Sequence, residues 1–389
     1  MSPRSTRCLL AGAAVGLVLA LAACTADAPG QDSTKVTVGL VASLSGPYQA
    51  VGEDTRDGFA LYLDTHGHVL GGHPVDVVTA DEGDGSAAAL VAAKQLAQRD
   101  DVVALTGVTN AETVTALLPI LQARGAALIS SNAQPALSDT STIWGTSFLP
   151  DEPGRAVANY VRANVDGPVW AMAADNQSGR ADTSGFVTAF ASAGGRLANP
   201  SQEPLYTSGT TSYLPFLTQA KASGARAVYA YFAGADAVTF VQQYAQSDAR
   251  DLPLFGAGPL TEGTVLAQEG RAALGVRTVL NYAPDLDNPT NRAFVDAWRA
   301  KHNSPPTAYA MASWDAALLL DKALAAAADT SAQAVAKAVA SLGQIDSPRG
   351  TWQFSTNHSP VQKWYLRRVQ PDGRTLTNSL VQDLEILGT

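Results

Sequence analysis

The stretch Val36–Leu63, VTVGLVASLSGPYQAVGEDTRDGFALYL, decides the fold. Its first residues, Val36–Val41, form an apolar, β-branched run that is long enough for a buried strand. Ala42–Gly46 then predicts a turn, because Ser and Gly favour turns, and Pro47 prevents the strand from continuing. The beginning of the stretch therefore predicts a short buried strand that ends in a polar loop.

The second half of the same stretch predicts a helix. Glu53 and Asp54 follow Gly52 in the positions where a helix N-terminus favours negative charge. The large apolar residues after them recur at helical spacing. A strand, a polar loop and a helix in this order are typical of a parallel α/β sheet, in which ligands bind beyond the carboxyl ends of the strands.

The same alternation continues along the chain. Strand-like runs are Val75–Thr79, Val102–Leu105, Ala126–Ile129, Val169–Ala173, Ala227–Phe232 and Val276–Leu280. Predicted helices are Ala87–Gln98, Glu112–Ala123, Pro153–Ala163, Gly185–Ala193, Tyr213–Ser223, Ala235–Ser247, Asn291–His302 and Ala308–Ala328, and the alanine-rich Ala323–Ala340 predicts two helices broken near Asp329. We therefore expect an α/β protein with parallel sheets and right-handed crossovers.

The chain is too long for one typical core, which favours two Rossmann-like lobes. Segments rich in Pro and Asp suggest where the chain passes between them: Pro150–Pro153, Ala283–Pro289 and Phe354–Pro360. The predicted lobe one is 35–150 plus 284–354, and the predicted lobe two is 151–283 plus 355–389. Three crossings would form a hinge, and a small ligand is expected in the cleft between the lobes.

The N-terminus predicts export. Residues 1–23 contain Arg4 and Arg7, then an apolar run, and this pattern is typical of a secretory signal. Leu21-Ala22-Ala23-Cys24 resembles a lipobox, so we expect cleavage before Cys24, a lipid on its thiol, and a flexible tether over 24–34. The alternative is ordinary signal cleavage with an incidental cysteine.

Charge and cysteine content limit the possible partners. The formal net charge is −9, and removing residues 1–23 with their two arginines makes it −11. This balance argues against nucleic acid and against an anionic bilayer surface as partners. The mature chain keeps one of the two cysteines, so a disulfide within it is impossible.

Two clusters suggest other chemistry. His66, His68 and His73 lie close together, but they lack a nearby Cys or a second group of ligands, so we expect no metal. The acids Asp81, Glu82 and Asp84 follow a strand, where a solvated turn is the usual interpretation. The alternative is a secreted, lipid-anchored hydrolase that uses these three carboxylates as acid and base.

The ordered set of motifs resembles a known family. The segments that carry the resemblance are Leu44-Ser45-Gly46-Pro47-Tyr48, Gly71-Gly72 before a strand ending in Asp81, Val103–Gly107, Leu128–Pro135 (LISSNAQP), Tyr282–Pro289 (YAPDLDNP) and Ser313–Leu318 (SWDAAL). Together they resemble the periplasmic binding proteins of type I, specifically the branched-chain amino acid receptors of ABC importers. The resemblance implies two lobes joined by a three-crossing hinge and a monomer without cofactor or enzymatic activity. It also implies a protein outside the cytoplasm, held to the membrane by its lipid, that delivers a small molecule to an ABC permease.

Polar residues in loops after the strands are the candidate ligand contacts. They are Ser45, Tyr48, Thr109, Asn110, Ser131, Asn132 and Gln134 in lobe one, and Asn176, Ser178, Phe232 and Gly258 in lobe two. In the family, the second and third loops of lobe one hold the ligand carboxylate with Ser and Thr. Here Asn110 or Ala111 falls near that Ser, and Gln134 falls near that Thr.

The chain departs from the amino acid receptors at the ammonium site. In the family, an acid on a late loop of lobe two pairs with the ligand's α-ammonium, and Gly258 occupies its place here. The family's aromatic residue on the first loop falls at Val51. We therefore expect a small carboxylate, aromatic or amide ligand, with Phe232 stacking on it, instead of free leucine, isoleucine or valine. Asp236 or Glu262 would overturn this expectation if either reached the site and restored the ion pair with the ammonium.

Overall fold

The computed structural model describes residues 34–132, 135, 137 and 139–388. Its strands are β1 (Val36–Ala42), β2 (Val69–Leu70), β3 (His73–Asp81), β4 (Val102–Gly107), β5 (Ala127–Ser130), β6 (Ile143–Gly145), β7 (Val169–Ala174), β8 (Leu205–Thr207), β9 (Ala227–Tyr231), β10 (Leu254–Ala257), β11 (Arg277–Leu280), β12 (Ile345–Ser347), β13 (Gly350–Phe354), β14 (Pro360–Asp372) and β15 (Thr375–Leu387). Its α-helices are α1 (Gln49–Thr65), α2 (Leu90–Ala97), α3 (Ala111–Arg124), α4 (Glu152–Asn164), α5 (Gln177–Ser192), α6 (Leu214–Ala222), α7 (Gly234–Gln246), α8 (Thr264–Glu269), α9 (Pro289–His302), α10 (Ala308–Ala326) and α11 (Ala332–Ala340). Short 3-10 helices cover Asp248–Asp251, Gly258–Thr261 and Gly270–Ala273.

The first sheet has the strand order β2-β3-β1-β4-β5-β6. Its strands are parallel except for β2, which forms an antiparallel pair with β3. Strands β1, β4 and β5 are almost wholly buried, as expected for strands covered by helices on both faces. Because α1, α2, α3, α10 and α11 pack against this sheet or each other, we call this group the first lobe.

The second sheet has the order β12-β13-β14-β11-β10-β9-β7-β8, with β15 paired to β14. Its middle strands β7 to β11 are parallel, but β12 to β15 are antiparallel. The expected parallel strands thus form one part of this sheet, and the antiparallel strands beside them are an addition that the sequence did not predict. A two-residue turn joins β14 to β15, and only an antiparallel pair can be joined so closely. We call this sheet and its helices α4 to α8 the second lobe.

The chain passes between the sheets after β6, returns after β11, and passes again after α11. The predicted boundary at 354 lies between β13 and β14, which pair with each other in the second sheet. The sheet pairing therefore places β12 and β13 in the second lobe, although the sequence suggested the first. The segment that follows β13 still contacts the first lobe, because Gly145 N donates to His358 O at 2.9 Å.

Helix α1 begins at Gln49, earlier than the sequence suggested, and has no acid in its first turn. The interpretation of Glu53 and Asp54 as N-terminal charges is therefore wrong. Gly52 lies within the helix because α1 runs very close to the end of β1: a Cβ on Gly52 would lie 1.9 Å from Ser43 O. This close approach allows the second turn of α1 to face the space between the lobes.

Candidate functional site

A cleft of about 300 Å³ lies between the carboxyl ends of the strands of both lobes. Its walls come from loops after β1, β4, β5, β7, β9 and β10 and from the first turns of several helices. The lining residues are Pro47, Tyr48, Ala50, Val51, Asp54, Thr109, Asn110, Ala111, Glu112, Asn132, Phe148, Pro150, Asn176, Gln177, Ser178, Tyr231, Ala233, Gly234, Pro259, Glu262, Gly263, Thr264, Val265 and Tyr309. Its position and volume are those of a small-molecule site.

Hydrogen bonds fix the polar wall of the first lobe. The Nδ2 of Asn132 donates to Thr109 O at 2.8 Å, and the Nδ2 of Asn110 donates to Ser43 Oγ at 3.0 Å. The Oγ1 of Thr109 accepts from Ser43 N at 3.2 Å, and Thr109 N donates to the buried carboxylate of Glu82. These contacts hold the loop rigid, so its remaining polar atoms are preorganised for a ligand.

The backbone of this loop is strained where it leaves β4. Val108 has a φ of 67°, a left-handed conformation that is an outlier for a β-branched residue. A hydrogen bond of 2.6 Å from Val108 N to Val41 O holds it in place. Such strain concentrates at functional sites, and here it directs the next two residues, Thr109 and Asn110, into the cleft.

Six helices contribute first-turn residues to the cleft wall, and α3, α5 and α7 are among them. The first N–H groups of a helix lack intrahelical acceptors, and the helix dipole favours an anion there. Asn176 caps α5 by accepting from Gly179 N at 2.8 Å, but α3 and α7 have no side-chain cap. Among the described residues no Lys or Arg lines the cleft. The N–H groups at these helix N-termini are therefore the positively polarised groups that the described wall offers to an anion.

Two carboxylates line another part of the cleft, which we call the acidic end. The Oε1 of Glu262 accepts from Ala308 N at 2.8 Å, and its Oε2 lies 2.9 Å from the guanidinium of the buried Arg367. Asp54 is half-buried, and its Oδ2 accepts from Thr307 Oγ1 at 2.9 Å. Burial, with Glu262 nearby, raises the pKa of Asp54 to about 7. Glu262 is therefore neutralised by a cation, whereas Asp54 is not.

Aromatic side chains supply the apolar surface of the cleft: Tyr48, Phe148, Tyr231 and Tyr309. Phe148 packs edge-on against Trp364 with ring centroids 5.6 Å apart, which fixes its orientation. Burial raises the pKa of Tyr231 and of Tyr309 well above the usual tyrosine value, so both hydroxyls are protonated at neutral pH. The cleft thus combines flat apolar walls with neutral hydroxyl groups.

The structure brings together six of the residues that the sequence suggested: Tyr48, Thr109, Asn110, Asn132, Asn176 and Ser178. Ser45 instead donates to Asp81 Oδ2 at 2.7 Å, and Ser131 lies buried beside the loop after β4, where its N–H donates to Gly107 O. Gly258 is buried against Leu280, while Pro259 and Glu262 line the cleft in its place. Gln134 and Cys24 lie outside the described residues.

Phe232 does not line the cleft, so the expected stacking on a ligand is not supported by its position. The side chain is fully buried in the core of the second lobe, with its ring 4.9 Å from Tyr213 and 4.6 Å from Phe240. Its neighbour Tyr231 lines the cleft instead. Consecutive residues of an extended chain point to opposite faces, which explains why Tyr231 and not Phe232 lines the cleft.

Sequence reasoning missed Asp54, Phe148 and Tyr309. For Asp54 a signal was present, because Tyr48, Val51 and Asp54 recur every three residues and line the cleft from one face of α1. Phe148 and Tyr309 lie in a crossing segment and at the start of α10, and no local pattern marks them. Their role depends on where the lobes meet.

The acidic cluster is occupied by structural contacts. Asp81 accepts from Leu44 N and Gly83 N, both at 2.8 Å, and Asp84 accepts from Ser86 N at 3.0 Å. Glu82 is fully buried beneath Thr109. The hydrolase alternative therefore finds no support in this geometry.

The described residues contain neither a membrane-spanning helix nor a metal-binding cluster. No helix among them is both long and apolar enough to span a bilayer. Within the same residues, no group of three or more His, Cys, Asp or Glu side chains could hold a metal ion.

Comparison with known proteins agrees with this architecture. The model of the periplasmic binding protein family matches residues 35–374. A relative from Brucella melitensis biotype 1, named Leu/Ile/Val-binding protein homolog 6, is 27% identical over 365 residues, which cover 91% of this chain and 92% of the relative.

Two solved solute-binding proteins of ABC transporters from R. palustris are also similar. One, in complex with benzoate, is 29% identical with a TM-score of 0.76, over 91% of this chain and 98% of that chain. The other, in complex with 4-hydroxybenzoate, is 25% identical with a TM-score of 0.80, over 90% and 97%. These similar proteins are solute-binding proteins and not enzymes. The two-lobed fold, the cleft between the lobes and the match over most of the chain show that this chain belongs to the periplasmic binding protein family.

Proposed function

We propose that this protein captures a small aromatic carboxylate in its cleft and delivers it to an ABC importer. The observation that carries the proposal is a cleft whose wall holds the N-termini of α3, α5 and α7 and aromatic side chains and, among the described residues, no lining Lys or Arg. Helix N-termini stabilise an anion by up to about 2 kcal/mol each in partly buried sites. The similar proteins in complex with benzoate and 4-hydroxybenzoate support this ligand class.

We further propose that the ligand is not free leucine, isoleucine or valine. In an α-amino acid, the ammonium and the carboxylate share one carbon, so an acid must lie beside the carboxylate-binding groups. Glu262 is already paired with Arg367, and Asp54 contacts Thr307 and not the loop that carries Asn110. An ammonium left buried without a partner costs several kcal/mol, about a thousandfold in affinity.

A thermal-shift screen tests the ligand class. Benzoate and 4-hydroxybenzoate should raise the melting temperature, because a ligand at a hundred times its dissociation constant adds about 2.7 kcal/mol to stability. Leucine and valine should give no shift at millimolar concentration. A clear shift with leucine or valine and none with the aromatic acids would contradict the proposal.

We also propose that the mature protein is a monomer anchored to the outer face of the cell membrane through a lipid on Cys24. The sequence Leu21-Ala22-Ala23-Cys24 and the polar tether behind it support this anchor. Replacing Cys24→Ser should release unlipidated protein from the membrane fraction and reduce uptake of the ligand by cells, because the receptor is no longer held near its permease. Mass spectrometry measures the lipid. Wild-type protein without lipid mass would refute the anchor.

A further inference from the structure

The acidic end of the cleft holds a carboxylate whose bonding is incomplete. Thr307 Oγ1 donates to Oδ2 of Asp54, but no described residue donates to Oδ1. No described Lys, Arg or His lies within ion-pair distance of Asp54, although Arg367 balances Glu262 next to it. A half-buried carboxylate that lines a cleft and has one oxygen without a described donor is a candidate acceptor for a ligand donor.

The residues around Asp54 leave room for such a donor. Gly263, beside Glu262, has a φ of 61°, and a Cβ there would lie only 3.4 Å from Oδ2 of Asp54. A larger residue at this position would therefore narrow the acidic end. Tyr309 follows Ala308 in the first turn of α10, so its aromatic ring lines the cleft beside this group.

The number of free acceptors indicates the kind of donor. An ammonium carries three donors, whereas a phenolic hydroxyl carries one. At the acidic end, the oxygens of Glu262 lie against Ala308 N and the Arg367 guanidinium, and Oδ2 of Asp54 accepts from Thr307, which leaves Oδ1 of Asp54 without a donor from the described residues. A phenolic hydroxyl satisfies its one donor at this oxygen, whereas an ammonium needs acceptors for two further donors.

The loop that carries Thr109 and Asn110 and the acidic end of the cleft are held by different side chains. Thr109 and Asn110 are held by Ser43 and Asn132, whereas Asp54 is held by Thr307 of the segment that starts α10. A ligand that uses both groups therefore meets them through different side chains, and a para-hydroxylated aromatic acid carries its hydroxyl and its carboxylate on opposite sides of one ring.

We propose that Asp54 determines specificity by accepting a hydrogen bond from a phenolic hydroxyl at the end of an aromatic acid remote from its carboxylate. This inference rests on the proposed function, because it assumes that the carboxylate binds at the helix N-termini. It adds that the preferred ligands are hydroxylated aromatic acids, and that benzoate itself binds more weakly. Asp54 acts by direct contact with the ligand, and Glu262 with Arg367 keeps the neighbouring oxygens occupied.

Calorimetric titration of wild type and Asp54→Asn with 4-hydroxybenzoate, benzoate and leucine tests the inference. Wild type should prefer 4-hydroxybenzoate over benzoate by about tenfold, the effect of one charge-assisted hydrogen bond. The Asp54→Asn variant should lose most of this preference while still binding benzoate. The matched control is Asp57→Asn, one turn along the same helix, whose carboxylate accepts from Arg56 Nε at 2.8 Å and does not line the cleft. At pH 8, where Asp54 is ionised in both proteins, this control should keep the preference.

A second measurement uses wild type alone, so it stands even if Asp54→Asn does not fold. The pKa of Asp54 is raised to about 7 by burial, so the carboxylate ionises between pH 6 and 8 while a phenol stays protonated. A hydroxyl donates more strongly to a carboxylate than to a carboxylic acid. The preference for 4-hydroxybenzoate over benzoate should therefore increase as the pH rises from 6 to 8. The other groups that act on Asp54 are Thr307, Glu262, Asp57 and Glu53.

The outcomes separate the inference from the proposed function. Equal binding of benzoate and 4-hydroxybenzoate by wild type at pH 8 would overturn the inference and leave the aromatic-acid function standing. If the Asp54→Asn variant kept the preference for 4-hydroxybenzoate, the inference would likewise be overturned and the aromatic-acid function would stand. Binding of leucine that is lost in Asp54→Asn would overturn both, because Asp54 would then be an ammonium site. Absence of binding by both aromatic acids would also overturn both.

Discussion

Two neighbouring carboxylates of the cleft show how local contacts set the state of a side chain. Glu262 lies against a fixed cation, Arg367, whose guanidinium also donates to Tyr282 O at 3.1 Å and Thr278 Oγ1 at 3.2 Å. Asp54 has a hydroxyl as its partner, and burial raises its pKa to about 7. The same residue class thus provides a structural contact in one case and a free acceptor in the other. This difference is invisible in the sequence, because Arg367 is more than a hundred residues from Glu262.

The residues of the site were predictable where they follow a strand directly. Thr109 and Asn110 come immediately after β4, and Asn176 and Ser178 come after β7, so the end of each strand places them in the cleft. The prediction was wrong for Phe232, where a shift of one residue reverses the direction of the side chain. Single-residue precision at the end of a strand requires the register, which the sequence does not contain.

At the scale of elements, the crossing of α1 and α10 positions the acidic end. Gly58 faces the backbone of α10 so closely that a Cβ would lie 2.2 Å from Ala310 O. Helix α10 begins at Ala308, directly after Thr307, the residue that binds Asp54. The sequence predicted both helices but not their crossing, because the small residue that allows the contact lies in the middle of a helix, where glycine usually weakens the structure.

We expect Gly58→Ala to destabilise the protein by about 1–3 kcal/mol, the usual effect of forcing extra atoms into a packed contact. The direction of this change in the free energy of unfolding is informative, because replacing glycine by alanine in an exposed helix would instead stabilise the protein by about 1 kcal/mol. Urea denaturation measures the change. The matched control is Gly343→Ala, since a Cβ there meets nothing within 4 Å. Equal denaturation midpoints for the two variants would show that α1 and α10 do not pack this closely.

At the scale of the whole molecule, the alternation of strands and helices predicted an α/β protein with two lobes, and this is the observed architecture. The antiparallel strands β12 to β15 were not predicted as such, because a long strand with alternating residues does not reveal the direction of its neighbour.

These antiparallel strands also contribute to the connection between the lobes. Gln362 on β14 donates to Ser147 O at 2.8 Å, and Asn281 donates to the same carbonyl at 3.2 Å. The crossing segments are thus tied to each other by polar contacts.

A two-lobed molecule with a ligand site between its lobes should close when the ligand binds, because contacts with both lobes exist only in the closed state. Small-angle scattering of the soluble Cys24→Ser protein tests this. The radius of gyration, roughly 20 Å for a compact chain of this length, should decrease when 4-hydroxybenzoate saturates the cleft. Leucine at the same concentration serves as the control and should leave the radius unchanged. Since the segments between the lobes cross three times, closure should proceed as a rotation about them without loss of helix or strand, and circular dichroism should stay constant. A constant radius at saturating ligand would mean that the cleft is preformed and that the lobes do not move.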